Sequence, residues 1–254
     1  MPIEEKVVEN LIEKSFNDLV SLLINNRTNE NLIFPKYRDE TVRYSEQELR
    51  QFFLKNVETQ ENNDNKIYFY SVETPTKLVY RFTNTEIPLV KENHEKDDKY
   101  ESARFDVSLY SKNNKDDLLT HVEFKYGNPD KKSGICKDFL KLVSEVKFTN
   151  EKKNFFVHYL SVKEESGWES RTFPSLFSKY LDSVADIIKS DLINEEDLSK
   201  VTVYLLCIFE EPEAESEPKI ASAYHFSLAD LKNYKVRTKY SDLTDKSWLN
   251  EELI

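Results

Sequence analysis

The most informative part of this chain is the sequence FDVSLY at residues 105–110, followed after a polar turn by HVEFKY at residues 121–126. Both runs alternate apolar and polar side chains, so we expect two half-buried strands. Because successive strand residues point to opposite faces, the apolar residues of each run should share one face. In the first run these are Phe105, Val107 and Leu109. We therefore predict a hairpin that gathers its polar residues on the opposite face.

Three polar side chains of this hairpin are chemically distinctive. Asp106 comes from the first strand, and Glu123 and Lys125 come from the second. Pairing of the strands would bring two carboxylates and one ammonium together at one edge of the sheet. Such a group can hold a divalent cation and activate water. A cross-strand salt bridge on a solvated face is the alternative explanation.

An aspartate on one strand followed by Glu-x-Lys on the next resembles the motif of the PD-(D/E)XK nuclease superfamily. In this chain the motif is Asp106 followed by Glu123-Phe124-Lys125, and Phe105 stands in place of the leading proline. Other Glu-x-Lys triplets lie near the N-terminus, at a predicted helix end (Glu145–Lys147) and in two predicted loops. Only the triplet at Glu123 lies in an alternating strand that follows a strand with an inward acid. The resemblance covers the middle of the chain, and the motif is short.

The resemblance implies both a reaction and roles for the residues. The reaction would be hydrolysis of phosphodiester bonds in nucleic acid, DNA in preference to RNA, assisted by Mg²⁺ or Mn²⁺. Asp106 and Glu123 would ligate the metal, with the backbone carbonyl of Phe124 and waters completing its coordination. Lys125 would orient the attacking water or stabilise developing charge. A role as general base is disfavoured, because two adjacent carboxylates keep an ammonium protonated.

The superfamily core begins with a helix that often contributes another acid. Here a helix is predicted to start at Ser45, which forms a capping box with Glu48. Glu46 falls in the same helical sector as the apolar Leu49 and Phe53. A carboxylate there needs a partner, and a metal ion or Lys125 is a candidate. The alternative is an exposed first-turn acid beside the helix dipole.

The resemblance also implies a three-strand meander after this helix. Two aromatic-rich strands, around Tyr68–Tyr70 and Tyr80–Phe82, are predicted to begin it, with a turn at Glu73–Thr76 between them. Glu73 is the fallback for the third acid. The later elements continue the expected order: a helix over 133–147, a strand over 154–160, a helix over 174–190 and a strand over 201–209. The last strand is apolar almost throughout, which predicts burial on both faces.

These elements predict an α/β fold, a restriction-endonuclease-like three-layer sandwich with a central mixed β-sheet flanked by helices. An amphipathic helix over 4–24 is expected as an N-terminal addition. We expect one domain over residues 1–254. Within it, residues 1–40 would form an N-terminal helical extension, residues 41–210 the core and residues 211–254 a C-terminal extension.

The formal net charge of −11 argues against a nucleic-acid enzyme, because lysine and arginine supply most nonspecific affinity for DNA. The charge is not uniform, however, since six lysines oppose three acids between Lys125 and Lys147. Lys137 and Lys141 lie four residues apart and are predicted on the outer face of the helix, within reach of a phosphate backbone. An ordinary solvated helix face is the alternative.

Other sequence features narrow the function classes. The chain has no Cys/His spacing typical of zinc sites and no Gly-rich phosphate loop. We expect a cytoplasmic protein without a membrane partner, since no signal peptide or transmembrane run is recognisable. A homodimer would suit paired cuts in a duplex, and phage defence is one setting in which the superfamily works. The rival hypothesis is a non-catalytic acidic binding or docking protein, either a DNA mimic or an inactive nuclease-like module.

Overall fold

The computed structural model describes residues 3–24, 32–40, 43–59, 68–81, 89–91, 101–128, 132–149, 152–162, 168–190, 193–209 and 219–233. Five α-helices and seven strands lie in these ranges, together with two short 3-10 helices at Val146–Phe148 and Glu195–Lys200. In chain order the α-helices and strands are α1 (Ile3–Ile24), α2 (Glu46–Thr59), β1 (Tyr68–Arg81), β2 (Leu89–Lys91), β3 (Glu101–Ser111), β4 (Leu118–Tyr126), α3 (Lys132–Ser144), β5 (Asn154–Val162), α4 (Trp168–Ile187), β6 (Val201–Phe209), β7 (Lys219–Ser227) and α5 (Leu228–Asn233).

The seven strands form one mixed sheet in the order β2-β1-β3-β4-β5-β6-β7. Strands β1, β3 and β4 are antiparallel neighbours, whereas β5 is parallel to both β4 and β6. Parallel neighbours need a crossover connection, and α3 and α4 supply the two crossovers. The predicted α/β class with a mixed sheet is therefore confirmed.

Helices cover both faces of the sheet. One apolar cluster, the α1–α2 core, joins α1 and α2 to the sheet, and a second, the α3–α4 core, joins α3, α4 and α5 to it. Neighbouring residues of β5 alternate between them, since Phe155 and Val157 belong to the α1–α2 core and Phe156 to the α3–α4 core. Residues 201–208 of β6 are all buried, as predicted from their continuous hydrophobicity.

The predicted turn at Glu73–Thr76 is wrong, because β1 is one continuous strand over Tyr68–Arg81. The strand is irregular at that point: Glu73 has a positive φ of 50°, and the pairing with β3 shifts between Pro75 and Val79. A bulge of this kind bends a strand without ending it. Phe82, the last residue of the predicted second strand, lies outside the described residues.

Glu145, which begins another Glu-x-Lys triplet, stabilises this irregular part of β1. Its carboxylate accepts hydrogen bonds from the backbone N–H groups of Lys77 at 3.1 Å and Leu78 at 2.7 Å. The Tyr80 hydroxyl donates a third bond at 3.2 Å. Since buried backbone donors need partners, this buried carboxylate has a structural role.

The two terminal parts of the chain both contribute to the packed structure. Helix α1 buries Leu11, Ile12, Phe16 and Leu19 in the α1–α2 core. Of the predicted C-terminal extension, residues 219–233 are described, and β7 within them pairs antiparallel with β6. None of the described helices has the length and apolar character needed to cross a membrane.

His158 on β5 is buried in a closed hydrogen-bond arrangement. Its Nε2 lies 2.6 Å from the carbonyl oxygen of Gly127, so Nε2 carries the proton, and its Nδ1 accepts from the Tyr180 hydroxyl at 2.5 Å. Burial lowers the pKa of His158 to about 4. The folded protein therefore keeps this imidazole neutral at pH values where the unfolded chain binds a proton.

Replacement of His158 by glutamine is expected to weaken the pH dependence of stability. Because the pKa of His158 is depressed on folding, its contribution is complete above the unfolded pKa of about 6.5 and is lost as pH falls toward about 4. The wild type should lose about 2 kcal/mol more free energy of unfolding than His158→Gln between pH 7 and pH 5. Urea titrations of both proteins at the two pH values measure this difference, and equal losses would contradict it.

Candidate functional site

The candidate site lies where β3 and β4 separate. Their antiparallel pairing runs from Tyr110 opposite Leu118 to Val107 opposite Val122, and the ladder ends there. The next residues in the same register are Asp106 and Glu123, so both motif acids stand at the point of divergence.

The two carboxylates replace the missing ladder bonds. Asp106 accepts the backbone N–H of Phe124 through Oδ2 at 2.8 Å, and Glu123 accepts the backbone N–H of Asp106 through Oε2 at 3.4 Å. Arg50 from α2 donates through Nη1 to Oδ1 of Asp106 at 3.2 Å. The structure thus brings Asp106 and Glu123 together, as the hairpin predicted.

Residue alternation is regular on β4 but is interrupted on β3. On β4, Phe124 packs in the α1–α2 core and Glu123 faces α3. On β3, Val107 and Leu109 belong to the α1–α2 core, whereas Phe105 belongs to the α3–α4 core. The predicted common face for Phe105 is therefore wrong, because the strand changes its alternation at Asp106, where its pairing with β4 has ended.

Lys141 on α3 lies inside the site and not on the outer face of the helix, so that prediction is wrong. Its ammonium donates to Glu123 Oε1 at 2.8 Å and to the carbonyl oxygen of Arg104 at 2.9 Å, and it lies 3.2 Å from Asp138 Oδ1. Its side chain is 6% exposed. The reason is that α3 is covered by the sheet on one side and by α4 on another, so Leu140 is also fully buried.

Asp138 is a third acid of the site, and it was not anticipated from the sequence. Its Oδ2 accepts from Lys125 at 3.0 Å, and its Oδ1 faces Lys141. Asp138 therefore joins the motif lysine to the second lysine. A sequence signal was present, since Asp138 follows Ile135 by three residues and precedes Leu142 by four, on the flank of the apolar stripe.

The two candidates for a further acid, Glu46 and Glu73, lie near different cations of the site. Glu48 accepts the Ser45 N–H at 3.0 Å, which confirms the Glu48 half of the predicted capping box, whereas the Ser45 hydroxyl accepts the Gln47 N–H at 3.4 Å and not that of Glu48. Glu46, next in the chain to the capping residue, is half-buried and close enough to Lys125 to contribute to raising its pKa. Glu73 instead binds Nη1 of Arg50 at 3.2 Å and is half-exposed.

Burial and mutual repulsion disfavour the charged forms of the two motif acids. Burial raises the pKa of Asp106, although the Phe124 N–H and Arg50 oppose it. The pKa of Glu123 is raised well above its ordinary value by burial, then by the negative charges of Asp138 and Asp106. The site would therefore gain from additional positive charge beside these two carboxylates.

The pKa values of Lys125, Lys141 and Asp138 shift in the direction that favours their charged forms. Burial favours neutral forms, but Lys141 and Lys125 together outweigh it and lower the pKa of Asp138. Asp138 in turn offsets burial and raises the pKa of both lysines. Asp138 is thus an ionised carboxylate between two protonated lysines. Strongly perturbed titratable groups of this kind gather at functional sites more often than elsewhere.

The remaining predicted residues are placed as follows. Phe124 is buried, and its ring packs 5.5 Å from that of Phe53 on α2. Lys137 is exposed on α3, as predicted. Beneath the acids, the ring of Phe105 stacks on His121 at 3.8 Å, and burial lowers the pKa of His121 to about 3. His121 is therefore a buried, neutral residue and not a base of the site.

A hard divalent cation fits the chemistry of the donor set. Asp106 and Glu123 offer adjacent carboxylate oxygens, and Mg²⁺ typically takes only one or two protein carboxylates and keeps several waters. The residues joined by ion pairs at the site include one more acid than base. The acids are Glu73, Asp106, Glu123 and Asp138, and the bases are Arg50, Lys125 and Lys141. Against this fit, the described residues contain no cluster of three His, Cys, Asp or Glu side chains arranged to hold a metal.

Comparisons with protein-family models, with curated proteins and with solved structures find no match for this chain. The interpretation of the site therefore depends on its own geometry. That geometry consists of two acids at the divergence of β3 and β4 and a lysine held by a buried aspartate of α3.

Proposed function

We propose that the protein is a metal-dependent nuclease of the PD-(D/E)XK type, with a restriction-endonuclease-like fold, that hydrolyses phosphodiester bonds in nucleic acid, DNA in preference to RNA. The observation that carries the proposal is the meeting of Asp106 and Glu123 where their strands diverge, with Lys125 on the same strand as Glu123. The element order around them supports it: helix α2, the meander β1-β3-β4, helix α3 and then β5 parallel to β4.

The exposure and the contacts of each residue indicate its role in this proposal. Asp106 and Glu123 are the metal ligands, with the carbonyl of Phe124 as a further donor. Lys125 is 28% exposed and protonated, so it can contact a phosphate oxygen or orient a water. Glu46 supports Lys125 electrostatically. Lys141 holds Glu123 in place from beneath and is not available to a phosphate backbone, which leaves that role to Lys137.

Mg²⁺ or Mn²⁺ bound here would lower the pKa of a coordinated water and neutralise charge that develops on the phosphoryl group. The protein contributes by presenting both carboxylates at fixed positions. Each is oriented by a backbone contact, through Phe124 N–H for Asp106 and Asp106 N–H for Glu123. This arrangement is preorganised, because the ligands are fixed by main-chain atoms of the sheet itself.

Cleavage of labelled oligonucleotides tests the proposal. Single- and double-stranded DNA and RNA would be incubated with the wild type in Mg²⁺, Mn²⁺ or EDTA. We expect cleavage with metal only, and a loss of at least about a hundredfold in Glu123→Gln. Asp116→Asn removes a carboxylate from the exposed β3–β4 turn and should cleave like the wild type. Absence of cleavage from every substrate, or undiminished cleavage by Glu123→Gln, would contradict the proposal.

One observation favours a second candidate function, a non-catalytic binding or docking module. Asp106, Glu123 and Asp138 each already have a cationic partner, provided by Arg50, Lys141 and Lys125. A closed network of ion pairs serves a structural purpose without any metal. This candidate predicts nucleic-acid or protein binding that is independent of divalent metal and is unaffected by Glu123→Gln.

A further inference from the structure

We propose that Asp138 is a positioning residue that fixes the ammonium of Lys125 where a phosphate oxygen of the substrate binds. The inference rests on the proposed function, and it assigns a role to a residue outside the Asp…Glu-x-Lys motif. The Asp138 carboxylate makes two ion pairs, from Oδ2 to Lys125 Nζ at 3.0 Å and from Oδ1 to Lys141 Nζ at 3.2 Å.

The two lysines differ in how many acceptors they have. An ammonium has three protons to donate. Lys141 has three acceptors, namely the Arg104 carbonyl oxygen, Glu123 Oε1 and Asp138 Oδ1, and its side chain is 6% exposed. All three protons of the Lys141 ammonium therefore have an acceptor, and none remains for a substrate.

Lys125 has unused donors. Its side chain is 28% exposed, and Asp138 is the one hydrogen-bond acceptor that the described residues give its ammonium. Two protons therefore remain for a ligand or for water. Gly134, one turn before Asp138, lies close to this ammonium, because a Cβ built there would be in van der Waals contact with Lys125 Nζ at 3.8 Å. An anionic oxygen is the ligand chemistry that such an ammonium selects.

Asp138 is itself held rigidly. Its side chain is 7% exposed, it lies on a helix that is buried on several sides, and the buried ammonium of Lys141 faces its second oxygen. A lysine side chain is long and flexible, so an unanchored ammonium would be spread over many rotamers. Anchoring by a fixed carboxylate removes this freedom before substrate binds, which is the preorganisation that catalysis requires.

Steady-state cleavage and amine acetylation together test the proposal, using Asp138→Asn. We expect kcat for a labelled oligonucleotide to fall by about tenfold to a hundredfold with little change in KM, since the ammonium is displaced but not removed. Acetylation of Lys125 by an amine-reactive reagent, followed by mass spectrometry, should become several-fold faster than in the wild type. Lys14, which is exposed on α1, is the internal control and should react at an unchanged rate.

A second variant covers the case in which Asp138→Asn does not fold. Asp138→Glu keeps the charge but shifts the carboxylate by one methylene, so kcat should fall while circular dichroism stays native. An unchanged acetylation rate of Lys125 in folded Asp138→Asn would overturn the proposal, as would an unchanged kcat in either folded variant. If the wild type cleaves nothing, the proposed function fails on its own, and the acetylation ratio alone decides whether Asp138 anchors Lys125.

Discussion

Replacement of Lys125 by alanine is expected to reduce metal-dependent cleavage by at least about a hundredfold and to leave the fold intact. The loss follows because Lys125 carries the partly exposed ammonium of the site. The fold should survive because Asp138 keeps its ion pair with Lys141 when Lys125 is removed. Cleavage rates and the melting temperature of the variant measure both parts of this expectation.

Lys137→Ala is the matched control for that experiment. It removes an equal charge from the exposed side of α3, and any effect should appear as weaker substrate binding that depends on salt. Unfolding of Lys125→Ala would show that Lys125 is structural, and retention of full activity would remove it from the mechanism.

Replacement of Lys141 by methionine is expected to lower the free energy of unfolding by about 3–5 kcal/mol. Methionine keeps much of the aliphatic length, so the change tests the charge and not the packing. It leaves Glu123 without its ammonium partner in a buried position, and it removes one of the two cations beside Asp138. Breaking a buried pair on one side is costly because the remaining carboxylate loses its partner and must either stay charged in a buried position or take up a proton.

Denaturant unfolding of Lys141→Met and Lys137→Met gives the contrast directly. The exposed Lys137 substitution should change the free energy of unfolding by no more than about 0.5 kcal/mol. Similarly small effects of both substitutions would contradict a stabilising role for the buried ion pair of Lys141 and Glu123.

The faces of β4 were predictable from alternation, but the predicted half-burial of this strand is wrong, because helices cover both of its faces and residues 119–124 are all buried. Alternation placed Glu123 and Lys125 opposite Phe124, and the structure has them so. The same rule failed at Phe105, because β3 changes its alternation beside Asp106 and no local sequence pattern marks that change. The end of a ladder depends on the register of two strands, which alternation within one strand does not encode.

The partners of the motif residues were less predictable. An amphipathic helix pattern assumes one buried face, and α3 is covered by the sheet and by α4. Lys141 therefore reaches inward from a position that the helical periodicity assigned to solvent. Arg50 was missed for a related reason, since its contact with Asp106 joins residues 56 apart in the chain. Contacts of this range follow from the assembled tertiary structure and not from local periodicity.

The ion pairs of the site bear on how a metal would bind. Arg50 and Lys141 now stand beside Asp106 and Glu123, so a divalent cation must compete with a guanidinium and an ammonium for the same oxygens. Of the two carboxylates, Glu123 would gain more from a bound divalent cation, since burial and two neighbouring acids raise its pKa. Metal binding at this site would therefore be coupled to the arrangement of these two cations.

Calorimetric titration with Mn²⁺ tests the metal site most directly. The wild type, Asp106→Asn and the exposed-turn control Asp116→Asn would be titrated under the same conditions, with and without an oligonucleotide. We predict saturable Mn²⁺ binding by the wild type and by the control, and affinity at least about tenfold weaker in Asp106→Asn. Absence of Mn²⁺ binding by the wild type even with the oligonucleotide, or equal binding by Asp106→Asn, would contradict the proposed metal site and leave the charged cluster as a structural ion-pair network.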